Sequence, residues 1–319
     1  ISNPNALSHG TINKVCEDIK GRILVGSLGG LQLFNPITGD LYSFPEEGPD
    51  HFKLNNQFIN TIYSDSSGNI WIGTEKGGIN KFNVHQKQFD FFTNDPNNSN
   101  SLNVNTVNSI YKENNILWIG TAGGGLNSVN IKTGKFSHYR YNGFNTSTIS
   151  SDYISSILRG SDGNLWVGSW GGGLTCFKGS PENPSIQRIT ATTPGYRNNL
   201  VDYFVSALWN DQRGFLVIGA QGGLSVLNYD NHTFTTLVSP SSSSIPQITE
   251  VGCLLKDSKD YYWAGTRNGL FRFPAGSIKE IENPVLEVEN LQFFTNITND
   301  SLSLPGNYII SLIEDSKGN

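Results

Sequence analysis

The chain has 319 residues with 36% hydrophobic and 11% aromatic content, enough to bury a sizeable core on folding. Charged residues make up only 15% and the formal net charge is −5, so no basic field exists to draw phosphate backbones or an anionic membrane surface. Neither nucleic acid nor membrane contact is expected of this segment: no apolar run approaches the ~18 residues that span a bilayer, and the opening "ISNPNALSHG" has no basic or apolar leader character.

Read in order, the chain repeats itself. A first unit, near 12–50, carries "GRILVGSLGGL" (21–31). A second, near 59–95, runs "INTIYSD" and then "GNIWIGTEKGGI" (68–79). A third, near 107–142, has "VNSIYKE", "NILWIGTAGGGL" (115–126) and "NIKTGKFSHYR". A fourth, near 154–192, has "ISSILRG" and "GNLWVGSWGGGL" (163–174). The fifth, near 205–240, has "VSALWND" and "GFLVIGAQGGL" (214–224), and the sixth, near 251–295, has "VGCLLKD" and "DYYWAGTRNGL" (260–270). From 308 to 319 the pattern starts again, with Ile309 and Gly318 in register. The shared glycines Gly26, Gly73, Gly120, Gly168, Gly219 and Gly265 lie 46 to 51 residues apart, a period that signals a solenoid or a propeller.

Each unit reads as four short strands. The first is apolar with small polar residues inside it. A tight turn follows, with Asp at its first position and Gly at its fourth: Asp18 and Gly21, Asp65 and Gly68, Asp211 and Gly214. The third unit has Asn115 at the Gly position, the fourth Gly160 for the Asp, and the sixth Asp260 for the Gly. The "LWIGT" strand is second, the paired glycines turn the chain into the third strand, and Thr133-Gly134 marks the turn into a fourth. A sheet this small cannot bury both faces alone, but copies arranged radially bury them against one another. The fold class is therefore all-β, a β-propeller of four-stranded antiparallel blades. Trp71, Trp118, Trp166 and Trp263 are expected to fill the space between blades, with Leu24 and Val217 in their place in units one and five. The central glycine is expected to let the neighbouring backbone come close. The stretch "NPVLEVENLQFF" (283–294) reads as an extended outer strand.

The unit "v.s I..D..G.LWIGT..GGL..F" with its trailing "TGKF.HY" resembles the two-component regulator propeller repeat of bacterial hybrid histidine kinases. It differs from WD repeats, since no copy ends in Trp-Asp, and from kelch, whose paired glycines precede the Trp strand. The resemblance implies a seven-bladed ring with its last blade truncated in this chain, a single domain over 1–319 cut from a longer protein. It also implies a periplasmic ligand-sensing region recognising a saccharide or similar small ligand, with kinase and membrane anchor elsewhere and a homodimer formed through the full-length receptor.

Catalysis finds no positive support in the sequence. Its glycine turns lack the Lys-Ser/Thr of a phosphate loop, and HExxH, CxxC and DxDxDG are absent. Cys16, Cys176 and Cys253 are far apart and read as small buried hydrophobes, and His9, His51, His85, His138 and His232 are scattered over linkers, turns and one strand. No cofactor or metal is expected. The readings are a sensor module that is not itself an enzyme, a protein-interaction or dimerisation scaffold, or a propeller lyase or glycosidase.

In an up-and-down blade, the turn between strands two and three shares a face with the linker into the next strand one. That face carries the variable linkers, and variation on a rigid scaffold is where recognition usually lies. The ligand-binding candidates there are Phe58, Tyr153, Phe204 and Tyr308, just before strand one, with Lys76, Trp170, Gln221, Arg267 and Asn268 in the turns after strand two. Aromatic faces beside polar groups suit a saccharide. The same aromatics could instead plug the mouth of a central channel.

Overall fold

The structure is a computed structural model that describes residues 6–44, 53–83, 88–180, 183–190, 193–279 and 283–318. The expected unit boundaries at 45–50, 84–87 and 191–192, with His51, His85 and Asn319, lie outside the described residues. Within them the chain forms six sheets, each with four antiparallel strands running up and down, consecutive in all but the last. The innermost strands are Ile12–Glu17, Ile59–Ser64, Val107–Glu113, Ile154–Arg159, Val205–Asp211 and Val251–Lys256, and each packs beside the next around an axis. This is a β-propeller.

The expected seventh blade is not formed. Residues 307–318 run as an extended segment without a strand partner, held to blade six by the Ile309 N–H on the Thr266 carbonyl (2.8 Å) and to blade one by the Val15 N–H on Ser311 Oγ (3.2 Å). A blade needs strands paired in a ladder, and among the described residues this segment pairs with none, so the architecture is six blades and not seven. The stretch 283–294 is also divided where one strand was expected. Val285–Glu287 adds to blade five, parallel to Phe234–Val238, and Gln292–Phe294 is the fourth strand of blade six.

The ring is assembled by one contact repeated six times. A Cβ added at Gly26, Gly73, Gly120, Gly168, Gly219 or Gly265 would lie 2.5–2.7 Å from a methyl of Ile59, Val107, Ile154, Val205, Val251 or Ile309, respectively. The glycine thus admits a β-branched side chain of the next innermost strand, or of the segment 307–318 after blade six, and not the neighbouring backbone as expected. Linkers are fixed by a second repeated device. The buried polar residue of strand three (Gln32, Asn80, Asn127, Thr175, Ser225) accepts a backbone N–H from Ser8, Asn55, Asn103, Ser150 and Val201.

Trp71, Trp118 and Trp166 are each 1% exposed and sit between blades, as expected. Trp263 is only partly buried, because beyond it lies the single segment 307–318 in place of a sheet. What the repeat pattern did not disclose is where the indole N–H groups go. Trp71 donates to Asp65 (3.2 Å), Trp118 to Glu113 (2.9 Å), Trp166 to Asp162 (3.2 Å) and Trp263 to Asp257 (2.7 Å). In blades two, four and six the turn carboxylate is therefore both a turn cap and the partner of the indole. In blades one and five, where Leu24 and Val217 replace the tryptophan, Arg22 and Arg213 pair with Asp18 and Asp211. A carboxylate as buried as Asp211 (1% exposed) must be compensated by some donor, and an arginine takes over when the indole is gone. In blade three the two-residue turn takes its left-handed residue at Asn114 (φ 50°), one position before the Asn115 expected to fill that role.

Two outcomes follow from this packing. Trp118→Ala empties an inter-blade site lined by Tyr139, Phe177 and Ile154 and should cost about 3–5 kcal/mol in denaturant melts, whereas Trp170→Ala, at 43% exposure, should cost far less. Burial by itself would raise the Asp211 carboxyl, but hydrogen bonds from Arg213 and Tyr262 outweigh it and bring it down to about 2. A depressed carboxyl stabilises the fold above its unfolded value of roughly 3.9 and loses that contribution as the pH falls towards 2, here about 2 kcal/mol. Urea melts between about pH 5 and pH 2 should show this acid-side loss in the wild type and a shallower one in Asp211→Asn.

Candidate ligand-binding face

The geometry of the strand-two turn sets one face of the ring. A Ser or Thr closing strand two (Ser27, Thr74, Thr121, Ser169, Thr266) donates its hydroxyl to the carbonyl of the turn glycine Gly30, Gly78, Gly125, Gly173 or Gly269. Those glycines have φ between 69° and 144°, the left-handed half of the map, where a side chain would be strained. The next N–H of the turn then reaches across to the carbonyl just before strand one: Leu28 to Thr11, Glu75 to Phe58, Ala122 to Thr106, Trp170 to Tyr153 and Gln221 to Phe204. The two sets of candidate residues therefore do share a face. The Asp-x-x-Gly turns cap the opposite one.

Each innermost strand carries a bulge one residue after its start, so that Asn13, Asn60, Ser155, Ser206 and Gly252 are skipped in the pairing, as is Asn108 in the third blade. These six positions, with Ile310, line a central channel cavity of about 280 Å³. Asn13, Asn108 and Ser155 donate across the gap to the Ile59, Ile154 and Val205 carbonyls of the next strand. This ring of polar groups was not among the candidates, although its signal, the small polar second residue of "INTI", "VNSI" and "ISSI", was visible in the sequence.

Beside the channel mouth an open cavity of about 360 Å³ gathers five of the nine candidates: Trp170, Phe204, Gln221, Arg267 and Tyr308. Glu250, Ser206 and Gly252 complete its polar lining. Trp170 and Tyr308 border both cavities, so the aromatics stand at the junction of mouth and channel. The Arg267 guanidinium lies 5.5 Å above the Tyr308 ring, and Asn268 donates to Glu250 Oε2 at 3.1 Å, just outside the cavity lining. Tyr153 is exposed on blade four next to Trp170, whose N–H it accepts. Phe58 and Lys76 stand exposed on blade two, on the same face, and line neither cavity. No thiol lines either cavity, and burial pushes Cys176 and Cys253 up to about 12.

The class is thus a six-bladed β-propeller whose mouth is polar and aromatic. The two-component regulator propeller family model matches residues 53–76 and 148–171, each running from the linker into the strand-two turn. Two stretches of the chain thus match the two-component regulator propeller repeat that its sequence resembles. No curated protein sequence matches it. Similar solved structures include the extracellular domain assigned to the hybrid two-component system BT3049 of B. thetaiotaomicron, with 21% identity over 98% of this chain and 38% of that one (TM-score 0.76). Another is the extracellular domain assigned to the one-component system BT4673 of the same organism, with 20% identity over 98% and 37% (TM-score 0.73). A third is PorZ, a surface component of the type-IX secretion system of Porphyromonas gingivalis, with 15% identity over 95% and 44% (TM-score 0.64). At these identities the likeness is one of fold, and the chain spans about two fifths of the length of the first two.

Proposed function

We propose that this propeller is an extracytoplasmic ligand-sensing module of a two-component signalling protein, and that it binds a saccharide without turning it over. The observation that carries this reading is the 360 Å³ cavity, where Trp170, Phe204 and Tyr308 stand beside Gln221, Glu250 and Arg267. A sugar ring presents C–H faces that stack on aromatic rings and hydroxyls that need both donors and acceptors, and this lining offers all three. The volume falls within the range of small-molecule sites. The repeats and the fold shared with extracellular domains of such signalling systems support the sensing role and an extracytoplasmic location. The signal would pass to a kinase outside this chain.

Titration calorimetry against a panel of oligosaccharides, with a product assay on the same panel, tests the proposal. Binding without turnover is expected. Trp170→Ala should weaken it at least ~10-fold, about 1.4 kcal/mol, with little change in melting temperature, because the ring is exposed and outside every core cluster. Absence of binding, turnover, or unaltered affinity in this variant would contradict the reading.

A further inference from the structure

Among the described residues, seven that are not glycine have left-handed backbone: Asn114, Asn198, His232, Glu250, Asp260, Asn290 and Asn299. Six are Asn, Asp or His, the types that tolerate this region best. Glu250 (φ 53°) is the exception, and it is also the one that lines the cavity. Its counterparts before the other innermost strands, Thr11, Phe58, Thr106, Tyr153 and Phe204, have ordinary backbone and accept the N–H of their own blade's strand-two turn. In blade six that bond is missing among the described residues. Glu250 instead turns its N–H to the Gln221 carbonyl of blade five (2.8 Å).

A strained conformation that breaks a repeated bond is held only where the surroundings impose it, and such positions cluster at ligand sites. Here the strain delivers a carboxylate to the lining. Asn268 holds one oxygen of Glu250, and no ion pair with a cation occupies the other among the described residues. Arg267 lines the same cavity, stacked on Tyr308 instead of paired with Glu250. We infer that Glu250 is a specificity-determining residue of this site, whose carboxylate accepts hydrogen bonds from adjacent hydroxyls of a saccharide ring. An ionised carboxylate is acceptor-only with two oxygens, which matches a vicinal diol and makes each bond charge-assisted. The inference rests on the saccharide reading and adds to it the atom that reads the hydroxyls.

Two variants of the 319-residue chain test it, with maltotetraose, cellotetraose, xylotetraose and mannotetraose as probes. Glu250→Gln keeps the shape and removes the charge. Glu250→Gly removes the carboxylate and relieves the backbone. For the tetrasaccharide that binds the wild type most tightly, affinity should fall at least ~10-fold in both. Without ligand, Glu250→Gly should melt no lower than the wild type and about 1–4 °C higher if the strain is fully released. Wild-type affinity in Glu250→Gln, or a lower melting temperature in Glu250→Gly, overturns the assignment while leaving the saccharide reading standing. A wild-type protein that binds none of the four overturns both.

Discussion

In each blade of this ring, a glycine in the second strand receives a β-branched side chain from the innermost strand that follows or, after blade six, from the segment 307–318, and the space between them admits no further atom. The contact recurs from Gly26 and Ile59 to Gly265 and Ile309. It fixes how closely consecutive innermost strands approach. The bulges one residue further on then place Asn13, Asn60, Asn108, Ser155 and Ser206 around a common axis. Channel and mouth are thus consequences of close packing between blades, and they keep their shape because packed interiors deform little.

The turn carboxylate, buried as Asp18, Asp65 and Asp211, is the second recurring element, and its variants show how the scaffold absorbs sequence change. An indole, or else an arginine, compensates it in every blade. Where Gly160 replaces the Asp in blade four, Asp162 moves into the role two residues later. Where blade three shortens its turn, Glu113 supplies a longer reach, and Arg159 of the next blade pairs with it. Across the six blades it is the donor–acceptor pair that recurs, and not either residue type.

The repeat period, the turn chemistry and the wedge tryptophans were legible in the sequence because each is local and recurs. The shared face was legible from connectivity, since an up-and-down blade leaves its turns no choice of side. Blade count was not, because it depends on whether residues 307–318 find strand partners, and a repeat pattern says nothing about pairing. The arginines of blades one and five were hidden for a related reason: Arg22 and Arg213 matter only through a carboxylate that burial makes costly. The lining of the candidate cavity was legible in part. Five of the nine candidates meet in one cavity, while Phe58 and Lys76 lie two blades away from Trp170, and no sequence rule ranks equivalent positions around a ring. Glu250 directly precedes the innermost strand of blade six, but its distinction is a backbone conformation that its residue type argues against.

The central claim is that the glycine and the β-branched residue of the next strand act as one packing unit. The pair Gly219 and Val251 tests it most directly, since the Cβ of an alanine at 219 would lie 2.6 Å from Val251 Cγ1 and 3.1 Å from its Cβ. In a double-mutant cycle by urea melts, Gly219→Ala should cost at least ~2 kcal/mol in the wild type and about half that or less in a Val251→Ala background, a coupling of roughly 1 kcal/mol or more. Equal losses in both backgrounds would contradict the account.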